Sequence, residues 1–580
     1  MRKPYLIVAD NKPSGTSWAE HFAGLGLQHP GLPCVADYPN ACVFAGSDVS
    51  IARKRGVTIL GPVHAFAGGG RIGGAETARG DGIFGECLDA WGDYIAVIGD
   101  TQGAHVLRAP FGRLPCYYVR WKSAVILVSD IRVLKSIGLP VPALDWDAVG
   151  RFLIAPELRA EATCLDRVWE LVGGCSLTIL HGDIHLRTAW SPWPFASRRA
   201  LLRDAREARI MLRRTIDEVV GAHCRQYTHI LLGVSGGLDS SIVAAVAARA
   251  RVQTTLVTMA ASDRAGDERA YARILAGRLR LPLIEAFEDV ARVDVHVSRS
   301  GHLPRPHARS FAQSSDDALI ALAKARGIDA FFSGAGGDNI FWNLTSAASV
   351  ADTCLGGFGS RATFRNALDL ADMCGASVPH VLLKALRSGL SRRQVPWPTD
   401  GTFIADAAGR EISVHDHPWL GAPAGILPGK VRHVHCIMGI ENHLEGYGRE
   451  AFAPMAAPLL SQPLVEACLR IPTWMWCMGG HDRALARAAF ADCLPAAILT
   501  RTEKGTPFGF ALQLFEKNRA ALRDMLLDGV LARERLLDLT AVETCLARDD
   551  PAAGLAHYRL LCIADVEAWV RHREALRAGS

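Results

Sequence analysis

The sequence predicts a two-domain protein whose second domain is an α/β fold, a doubly wound parallel sheet with a helical extension. From residue 228 onward, short apolar strands alternate with helices, as a parallel sheet covered on both faces requires. The first ~200 residues instead contain short apolar runs broken by Gly and Pro, which is typical of a β-rich domain. The composition shifts around 191–194, so we predict domains 1–195 and 196–580.

Composition and charge limit the class of protein. The 580 residues are 49% hydrophobic and 21% charged, which is ordinary for a folded chain. No apolar run is long enough to cross a bilayer, and residues 1–10 read as a strand instead of a signal peptide. We therefore expect a cytoplasmic protein without a membrane partner. The net charge of +5 is small and its Lys and Arg residues are dispersed, so we expect no nucleic-acid partner either.

The predicted elements of the α/β domain follow a regular order. An Arg-rich helix is expected over 197–226, strands over 228–233, 254–259, 283–286 and 329–332, and helices from about Ser240, from about Asp267 and near 309–326. After 360 the pattern is mainly helical. Ligands of such sheets bind at the carboxyl ends of the strands, so the turns after the first and last of these strands are the candidate site.

The turn after the first strand carries the strongest signal in the chain. It reads Val234, Ser235, Gly236, Gly237, Leu238, Asp239, Ser240, Ser241 and leads into a helix. Adjacent glycines let backbone N–H groups approach a ligand, and the helix N-terminus adds partial positive charge. The turn therefore suits phosphate, although it is not a Walker loop. It resembles the pyrophosphate loop of ATP pyrophosphatases, and this resemblance implies an ATP site. The alternative is a Gly-rich turn that simply ends a buried strand.

The turn after the last strand repeats this chemistry. It reads Ser333, Gly334, Ala335, Gly336, Gly337, Asp338, Asn339. Mg²⁺ on ATP prefers one or two carboxylates plus phosphate oxygens, so we predict Asp239 and Asp338 as its ligands and as catalytic residues. The nucleotide contacts would be 234–241 together with Val257, Ser333, Gly334 and Gly337. The alternative is that Asp239 only caps its helix and Asp338 only stabilises a loop.

The N-terminal domain has its own recognisable pattern. The order of 91–100, 107–118, 128–131 and 187–190 resembles the glutaminase-type domain of asparagine synthetases, an N-terminal-nucleophile β-sandwich. That resemblance implies a nucleophilic cysteine at the N-terminus, but position 2 is Arg2. Without that thiolate we expect the domain to keep its fold and release no ammonia. The glycine-rich run 68–74 is interpreted as a loop.

The C-terminal domain is similar to the ATP pyrophosphatase domain of asparagine synthetases. The turn 235–241 resembles their pyrophosphate loop, and 333–339 resembles their Ser-Gly-Glu-Gly-Ser-Asp-Glu loop with Ala335, Gly337 and Asn339 in place of Glu, Ser and Glu. These losses leave the general base undefined. Segment 266–269 would lie beside the adenylate, and the resemblance gives Lys504 a catalytic role, offsetting charge on the activated carboxyl and pyrophosphate. The alternative for Lys504 is an exposed surface lysine.

Four details narrow the resemblance: Arg2 and the segments 266–269, 336–339 and 479–483. Together they are similar to lasso peptide cyclases, or macrolactam synthetases. That implies ATP-dependent adenylation of an Asp or Glu side chain in a precursor peptide, followed by attack of the peptide's N-terminal amine. It also implies a leader-processing protease and a leader-recognition protein as pathway partners.

Two other functions stay open at this point. One is another amide-forming ligase, either an ammonia-dependent asparagine synthetase or a β-lactam synthetase type. The other is a non-catalytic binding protein that retains the fold. The intact turn 235–241 argues against the second.

Overall fold

The computed structural model describes residues 3–10, 16–54, 56–66, 84–100, 102–180, 182–260, 267–307, 309–343, 345–390, 395–413, 415–502, 508–547 and 554–579. The loop 68–74, Arg2, Gly266 and Lys504 lie outside these residues. Among the described residues, no helix has the length and apolar character needed to cross a membrane.

The N-terminal part consists of antiparallel sheets. Its strands are β1 (Tyr5–Ala9), β2 (Cys34–Tyr38), β3 (Ala41–Ala45), β4 (Ile51–Lys54), β5 (Val57–Leu60), β6 (Val63–Ala65), β7 (Ala90–Gly92), β8 (Ile95–Gly99), β9 (Ala104–Arg108), β10 (Tyr117–Trp121), β11 (Ala124–Val128), β12 (Trp169–Glu170), β13 (Cys175–Leu180) and β14 (Asp183–Thr188). Among the described residues, one sheet has the order β12-β10-β11-β1-β3-β2 and the other β14-β13-β9-β8-β5-β4. Strands β6 and β7 pair separately.

The two large sheets share a hydrophobic core, so they form a sandwich. Ile7 of β1 packs in one cluster with Val97 of β8 and Leu177 of β13. Leu6, next to Ile7, belongs instead to the cluster that contains helical residues such as Phe22. Because successive side chains of a strand point to opposite faces, β1 is buried on both sides. The β-rich character predicted for this part is confirmed.

Short helices accompany these sheets. They are α1 (Trp18–Leu25), α2 (Gly85–Leu88), α3 (Arg132–Ser136), α4 (Trp146–Ile154) and α5 (Trp193–Ala196). Helix α1 begins with a complete capping box between Ser17 and Glu20 and ends at Gly26 in the left-handed conformation, as capping chemistry favours.

A parallel sheet forms the centre of the C-terminal part. The elements run α6 (Ala205–Cys224), β15 (His229–Gly233), α7 (Leu238–Ala247), β16 (Gln253–Ala260), α8 (Arg269–Leu279), β17 (Leu283–Phe287), α9 (Gln313–Arg326), β18 (Ala330–Phe332) and α10 (Gly337–Ile340). The sheet order is β17-β16-β15-β18-β19, where β19 is Met455–Ala456, and all pairs are parallel. The predicted α/β class is thus confirmed. Helix α7 begins at Leu238, two residues before the predicted start, and β19 was not predicted.

Helices make up most of the remaining chain, as predicted after residue 360. They are α11 (Ala348–Leu355), α12 (Ser360–Cys374), α13 (Val378–Leu390), α14 (Pro428–Gly439), α15 (Gln462–Arg470), α16 (Ala484–Ala489), α17 (Ala496–Leu499), α18 (Phe508–Leu527), α19 (Val530–Arg533), α20 (Leu539–Leu546) and α21 (Gly554–Ala578). Short 3-10 turns lie at 290–292, 310–312, 407–409, 441–443, 448–451, 458–460, 473–476 and 478–480.

A buried charge cluster joins the N-terminal and C-terminal parts. The carboxylate of Glu170 is fully buried and accepts hydrogen bonds from Arg108 at 2.5 Å, from Arg159 at 2.8 Å and from Arg305. Burial alone raises the pKa of Glu170, but the three guanidinium groups lower it by more, so the carboxyl stays ionised. The domain boundary at 195 stays a prediction.

Candidate active site

The two glycine-rich turns lie against each other at the carboxyl edge of the sheet. They follow β15 and β18, which are neighbouring strands. A Cβ added to Gly334 would lie 2.4 Å from the backbone nitrogen of Ser240, and one added to Gly337 would lie 2.2 Å from Cγ of Asp239. Only glycine fits at either position, so packing between the turns explains both residues and fixes the relative position of the aspartates.

The first turn is built to present the N-terminus of α7. Gly236 has φ +65°, and a Cβ there would lie 2.2 Å from Cβ of Tyr271. Gly237 is the N-cap of α7 and supplies no side-chain cap, so N–H groups of the first helical turn are left for a ligand. The hydroxyl of Ser235 accepts from the Gly237 N–H at 3.3 Å, and Ser241 donates to the Gly237 carbonyl at 2.7 Å.

A cavity of about 480 Å³ opens in front of both turns. Nine of the predicted nucleotide and metal residues line it: Val234, Ser235, Gly237, Leu238, Asp239, Ser240, Val257, Gly334 and Asp338. Gly236, Ser241, Ser333 and Gly337 are close by but are not among its lining residues. Ser241 is fully buried, and Ser333 donates its N–H to the carbonyl of Ala456 at 3.1 Å. The ligand roles of all thirteen residues stay predictions.

One arginine bridges the two predicted metal ligands. Nη1 of Arg483 donates to Oδ2 of Asp239 at 3.0 Å and to Oδ1 of Asp338 at 2.7 Å. Its Nε donates to Oδ2 of Asp482 at 2.6 Å. The two bridged oxygens therefore lie within about 6 Å of each other. The turns thus form a site that holds a cation, and in this structure the cation is a guanidinium.

The environment of Arg483 keeps it charged and in place. Burial lowers its pKa, but the carboxylates of Asp239, Asp338 and Asp482 raise it by more. Its backbone is left-handed, with φ +51°, which is uncommon for a residue with a side chain and marks a conformation imposed by its surroundings. Gly479 and Gly480 come just before it and also have positive φ. The segment 479–483 therefore turns sharply to aim this guanidinium at the aspartates.

Two further arginines connect the C-terminal segment to the cavity. Arg501 donates to the carbonyl of Ser235 at 2.9 Å and to Glu268 at 2.7 Å, and its guanidinium lies 4.1 Å from the ring centre of Tyr271. Arg487 donates to Oδ1 of Asp482 at 2.6 Å and to the Arg501 carbonyl at 2.9 Å. Both arginines line the cavity, and each is paired there with an acid, Arg487 with Asp482 and Arg501 with Glu268.

The structure separates the two acids of the segment 267–268. Glu268 lines the cavity and pairs with Arg501. Asp267 pairs with Arg269 at 2.8 Å instead. Ala335 and Asn339 also line the cavity, and these two positions, where the resemblance implies acids, carry no charge here.

The residues present fit a magnesium nucleotide. Two carboxylates are held together beside a helix N-terminus, and three arginines that can pair with phosphate line the same cavity. The cavity volume lies within the range of about 300–1,000 Å³ that is usual for small-molecule sites. Among the described residues, no group of three His, Cys, Asp or Glu could hold a metal. Phosphate oxygens would thus complete the coordination of Mg²⁺.

Sequence reasoning gave no role to Arg483, Arg487 or Arg501. Arg483 lies in the segment 479–483 and Arg501 in a charged cluster before Gly505, but Arg487 lies in no segment that drew attention, and the contacts that define a role come from distant parts of the chain. Lys504, the predicted catalytic cation, lies outside the described residues, three positions after Arg501. Its role stays a prediction.

The comparison with known families agrees with this site. Residues 211–373 and 453–571 match the asparagine synthase family, and these ranges contain both glycine turns and all three arginines. None of the curated proteins matches the chain closely enough to be a relative. This family uses ATP, usually with Mg²⁺. These two ranges are thus similar to the asparagine synthase family, and this similarity supports an ATP-dependent amide-forming ligase.

Proposed function

We propose that this protein is a macrolactam synthetase of the lasso peptide cyclase type. It would adenylate an Asp or Glu side chain of a precursor peptide and join it to the peptide's N-terminal amine, releasing AMP and pyrophosphate. The observation that carries the adenylation step is the pair of aspartates, Asp239 and Asp338, held by one cation at the edge of the parallel sheet.

Each part of the cavity has a distinct task in this proposal. Mg²⁺ would neutralise phosphate charge and orient the ATP. Asp239 and Asp338 would hold the metal, and the N–H groups at the start of α7 would bind phosphate. Arg483, Arg501 and Lys504 would offset the negative charge that develops as the carboxyl displaces pyrophosphate, an effect worth roughly 3 kcal/mol for one well-placed donor.

The two uncharged lining positions favour a substrate larger than free aspartate. Ala335 and Asn339 replace two acids of asparagine synthetases, and Ala335 is also smaller. Removing two negative charges weakens recognition of an amino acid's own ammonium group, and the smaller side chain leaves room for a peptide. With both reacting ends on one bound peptide, orientation can contribute on the order of 7 kcal/mol or more.

Another amide-forming ligase is the main alternative. A chain that used free ammonia or closed a small ring would need the same nucleotide site, so the cavity alone does not discriminate between these reactions. Arg2 stands where the resemblance implies the glutaminase cysteine, so we expect either of these reactions to need ammonia or an amine from another source. A peptide amine needs no such source, which favours the macrolactam reaction.

The test compares substrates for AMP release. The natural precursor would come from a short reading frame beside the gene, with Thr near the end of its leader and Asp or Glu several residues after the cleavage point. We expect AMP and a product lighter by one water with the leader-free peptide, and neither with aspartate plus ammonia. AMP release with aspartate and ammonia, and none with the peptide, would refute the proposal.

Matched variants separate the chemistry from folding. Asp239→Ala and Asp338→Ala should each abolish AMP release while the protein stays folded. Asp183→Ala changes an exposed aspartate on β14 and should keep full activity. A normal yield of product from a folded Asp338→Ala protein would refute the assignment of the metal ligands.

A further inference from the structure

A large open pocket lies among helices α11, α13 and α14. Its volume is about 1020 Å³, and its walls come from both ends of α11, the C-terminal half of α13, the loop before α14 and the first turns of α14, together with Arg198 after α5. We name it the α13–α14 pocket. Among the described residues, none lines both this pocket and the nucleotide cavity. The pocket is therefore a separate site.

The charge of the α13–α14 pocket has one sign. Its cationic lining residues are Arg198, Lys384, Arg387 and Arg432, and all four are exposed. None of the described lining residues is an Asp or Glu. No described carboxylate forms an ion pair with any of the four cations. Cations that lie together without counter-charges repel one another and attract anions, so the pocket favours a ligand with several negative charges.

All four cations belong to chain that the family comparison leaves unmatched. Arg198 precedes the matched ranges, and Lys384, Arg387 and Arg432 fall in the unmatched segment 374–452. The two glycine turns of the nucleotide cavity, by contrast, lie within the match. The similarity to the asparagine synthase family therefore gives no account of this positive charge, which calls for an explanation of its own.

The uncharged part of the wall indicates which class of anion fits. Leu355, Val395, Leu420 and Ile426 supply aliphatic surface. No Phe, Tyr, Trp or His occurs among the described lining residues, whereas proteins that bind single-stranded nucleic acid stack its bases on aromatic rings. The cations come from three separate segments around a concave site, which a flat lipid surface cannot enter. A peptide with carboxylates and aliphatic side chains matches the wall better than either.

Exposed leucines continue this aliphatic surface along α13. Leu383, Leu386 and Leu390 are 47%, 57% and 71% exposed. Their spacing of three and four residues places them on one face of the helix, and the cations Lys384 and Arg387 directly follow the first two in the chain. Exposed apolar side chains that cluster in this way are typical of interaction sites, so a bound peptide would also contact this face of α13.

We propose that the α13–α14 pocket is a docking site for an acidic, leucine-containing segment of a partner protein. The carboxylates of the segment would pair with the four cations of the pocket, and its leucines would contact the aliphatic wall and the exposed leucines of α13. This docking site is independent of the proposed function, because the pocket shares no described lining residue with the nucleotide cavity.

The experiment measures the binding of two peptides to the full-length protein by fluorescence anisotropy. The acidic probe is rhodamine-labelled Ser-Glu-Leu-Glu-Glu-Leu-Leu-Glu-Ser, and the neutral probe has Gln in place of every Glu. We expect saturable binding of the acidic probe and about tenfold weaker binding of the neutral one, because each exposed ion pair contributes up to about fivefold. Equal binding of the two probes, or no saturable binding of the acidic probe, would overturn the proposal.

Two further probes decide between classes of partner. They are rhodamine-labelled oligouridylate and vesicles of phosphatidylcholine with one third phosphatidylserine, which offer negative charge without a peptide. We expect both to bind more weakly than the acidic peptide, because bases find no aromatic ring in the pocket and a bilayer does not enter it. Tighter binding of the oligouridylate or of the vesicles would refute the assignment to an acidic protein segment.

Charge reversal locates the peptide. The double variant Lys384→Glu/Arg387→Glu should weaken binding of the acidic probe about tenfold or more. Arg206→Glu/Arg209→Glu is the matched control, because these two exposed arginines have the same spacing on α6 and do not line the pocket. Leu386→Ser removes an exposed leucine without changing the charge and should weaken binding about threefold.

Thermal unfolding establishes that each variant is folded before binding is compared. Unchanged binding of the acidic probe to folded Lys384→Glu/Arg387→Glu protein would place the peptide elsewhere and refute the proposal. An equal loss in Arg206→Glu/Arg209→Glu would show that overall charge attracts the probe, and this outcome would refute the proposal as well.

Discussion

Replacing Arg483 by methionine tests whether the two aspartates form a shared cation site. The substitution keeps an unbranched side chain about as long as the aliphatic part of arginine and removes the guanidinium that bridges Asp239 and Asp338. The bridged oxygens lie within about 6 Å of each other, and two negative charges at that distance repel by about 3 kcal/mol at an effective dielectric constant of about 20. In Arg483→Met, the guanidinium that offsets this repulsion is absent.

We therefore expect Arg483→Met to bind a divalent cation more tightly than the wild type in the absence of nucleotide. Relief of a 3 kcal/mol repulsion, with no competing guanidinium, corresponds to a gain of up to about 100-fold in affinity. Mn²⁺ is a suitable probe, because its free form can be followed by electron paramagnetic resonance during a titration. Without metal, the variant should unfold at a lower temperature than the wild type, and Mn²⁺ should remove this difference.

The matched control is Arg213→Met. Arg213 also bridges two aspartates, Asp217 at 3.0 Å and Asp492 at 2.8 Å, but on an exposed surface away from the glycine turns. Exposed ion pairs contribute little, so this variant should show no gain in Mn²⁺ affinity. If Arg483→Met binds Mn²⁺ no more tightly than the wild type, the two carboxylates do not share a cation and the reasoning fails.

Three other outcomes follow from the site and the core. Lys504→Ala should lower ATP–pyrophosphate exchange by about 100-fold and keep nucleotide binding by calorimetry, with exposed Lys517→Ala as the control; undiminished exchange would contradict the predicted role. Gly337→Ala should destabilise the protein by about 1–3 kcal/mol, because its methyl group would lie 2.2 Å from the carboxyl carbon of Asp239 in the facing turn. Gly277→Ala is the control, because nothing lies within 4 Å of its added methyl group. Equal melting temperatures of the two variants would count against the turn packing. Burial raises the pKa of Asp565 from 3.8 to about 7, so the folded state holds a proton that the unfolded state releases above about pH 4, and stability falls as pH rises through this window. Asp565→Asn should reduce the pH dependence of the free energy of unfolding, measured with denaturant, and should raise that free energy by at most about 4 kcal/mol near pH 7. An unchanged pH dependence would exclude this carboxyl as its source.

The parallel sheet was predictable because its signals are local. Strands β15, β16, β17 and β18 are short apolar runs, and each was placed within about two residues of its observed ends. The fifth strand, β19, has two residues and pairs with β18 across more than a hundred residues of intervening chain. Such a short strand has no periodicity of its own, so only the packed structure reveals it.

The site was predictable to the same extent and for the same reason. Each glycine turn carries its aspartate within a few residues of the end of its strand, so Asp239 and Asp338 could be proposed from local sequence. The cation between them could not, because Arg483 reaches them over separations of 244 and 145 residues. A charged residue in a loop gives no indication of which distant carboxylate it will contact.

The glycines show why one local signal can serve two physical purposes. Gly334 and Gly337 suggest close approach of a ligand in the sequence, yet each is required by contact with the facing turn. This contact prevents the turns from moving apart, so the separation of the two carboxylates is set by the backbone and not by the cation between them. Exchange of Arg483 for a metal would then require rotation of one arginine side chain and no rearrangement of the sheet. For the metal site that we propose, the fixed turns would therefore supply preorganised ligands, and the arginine would offset the repulsion of the carboxylates until the metal binds.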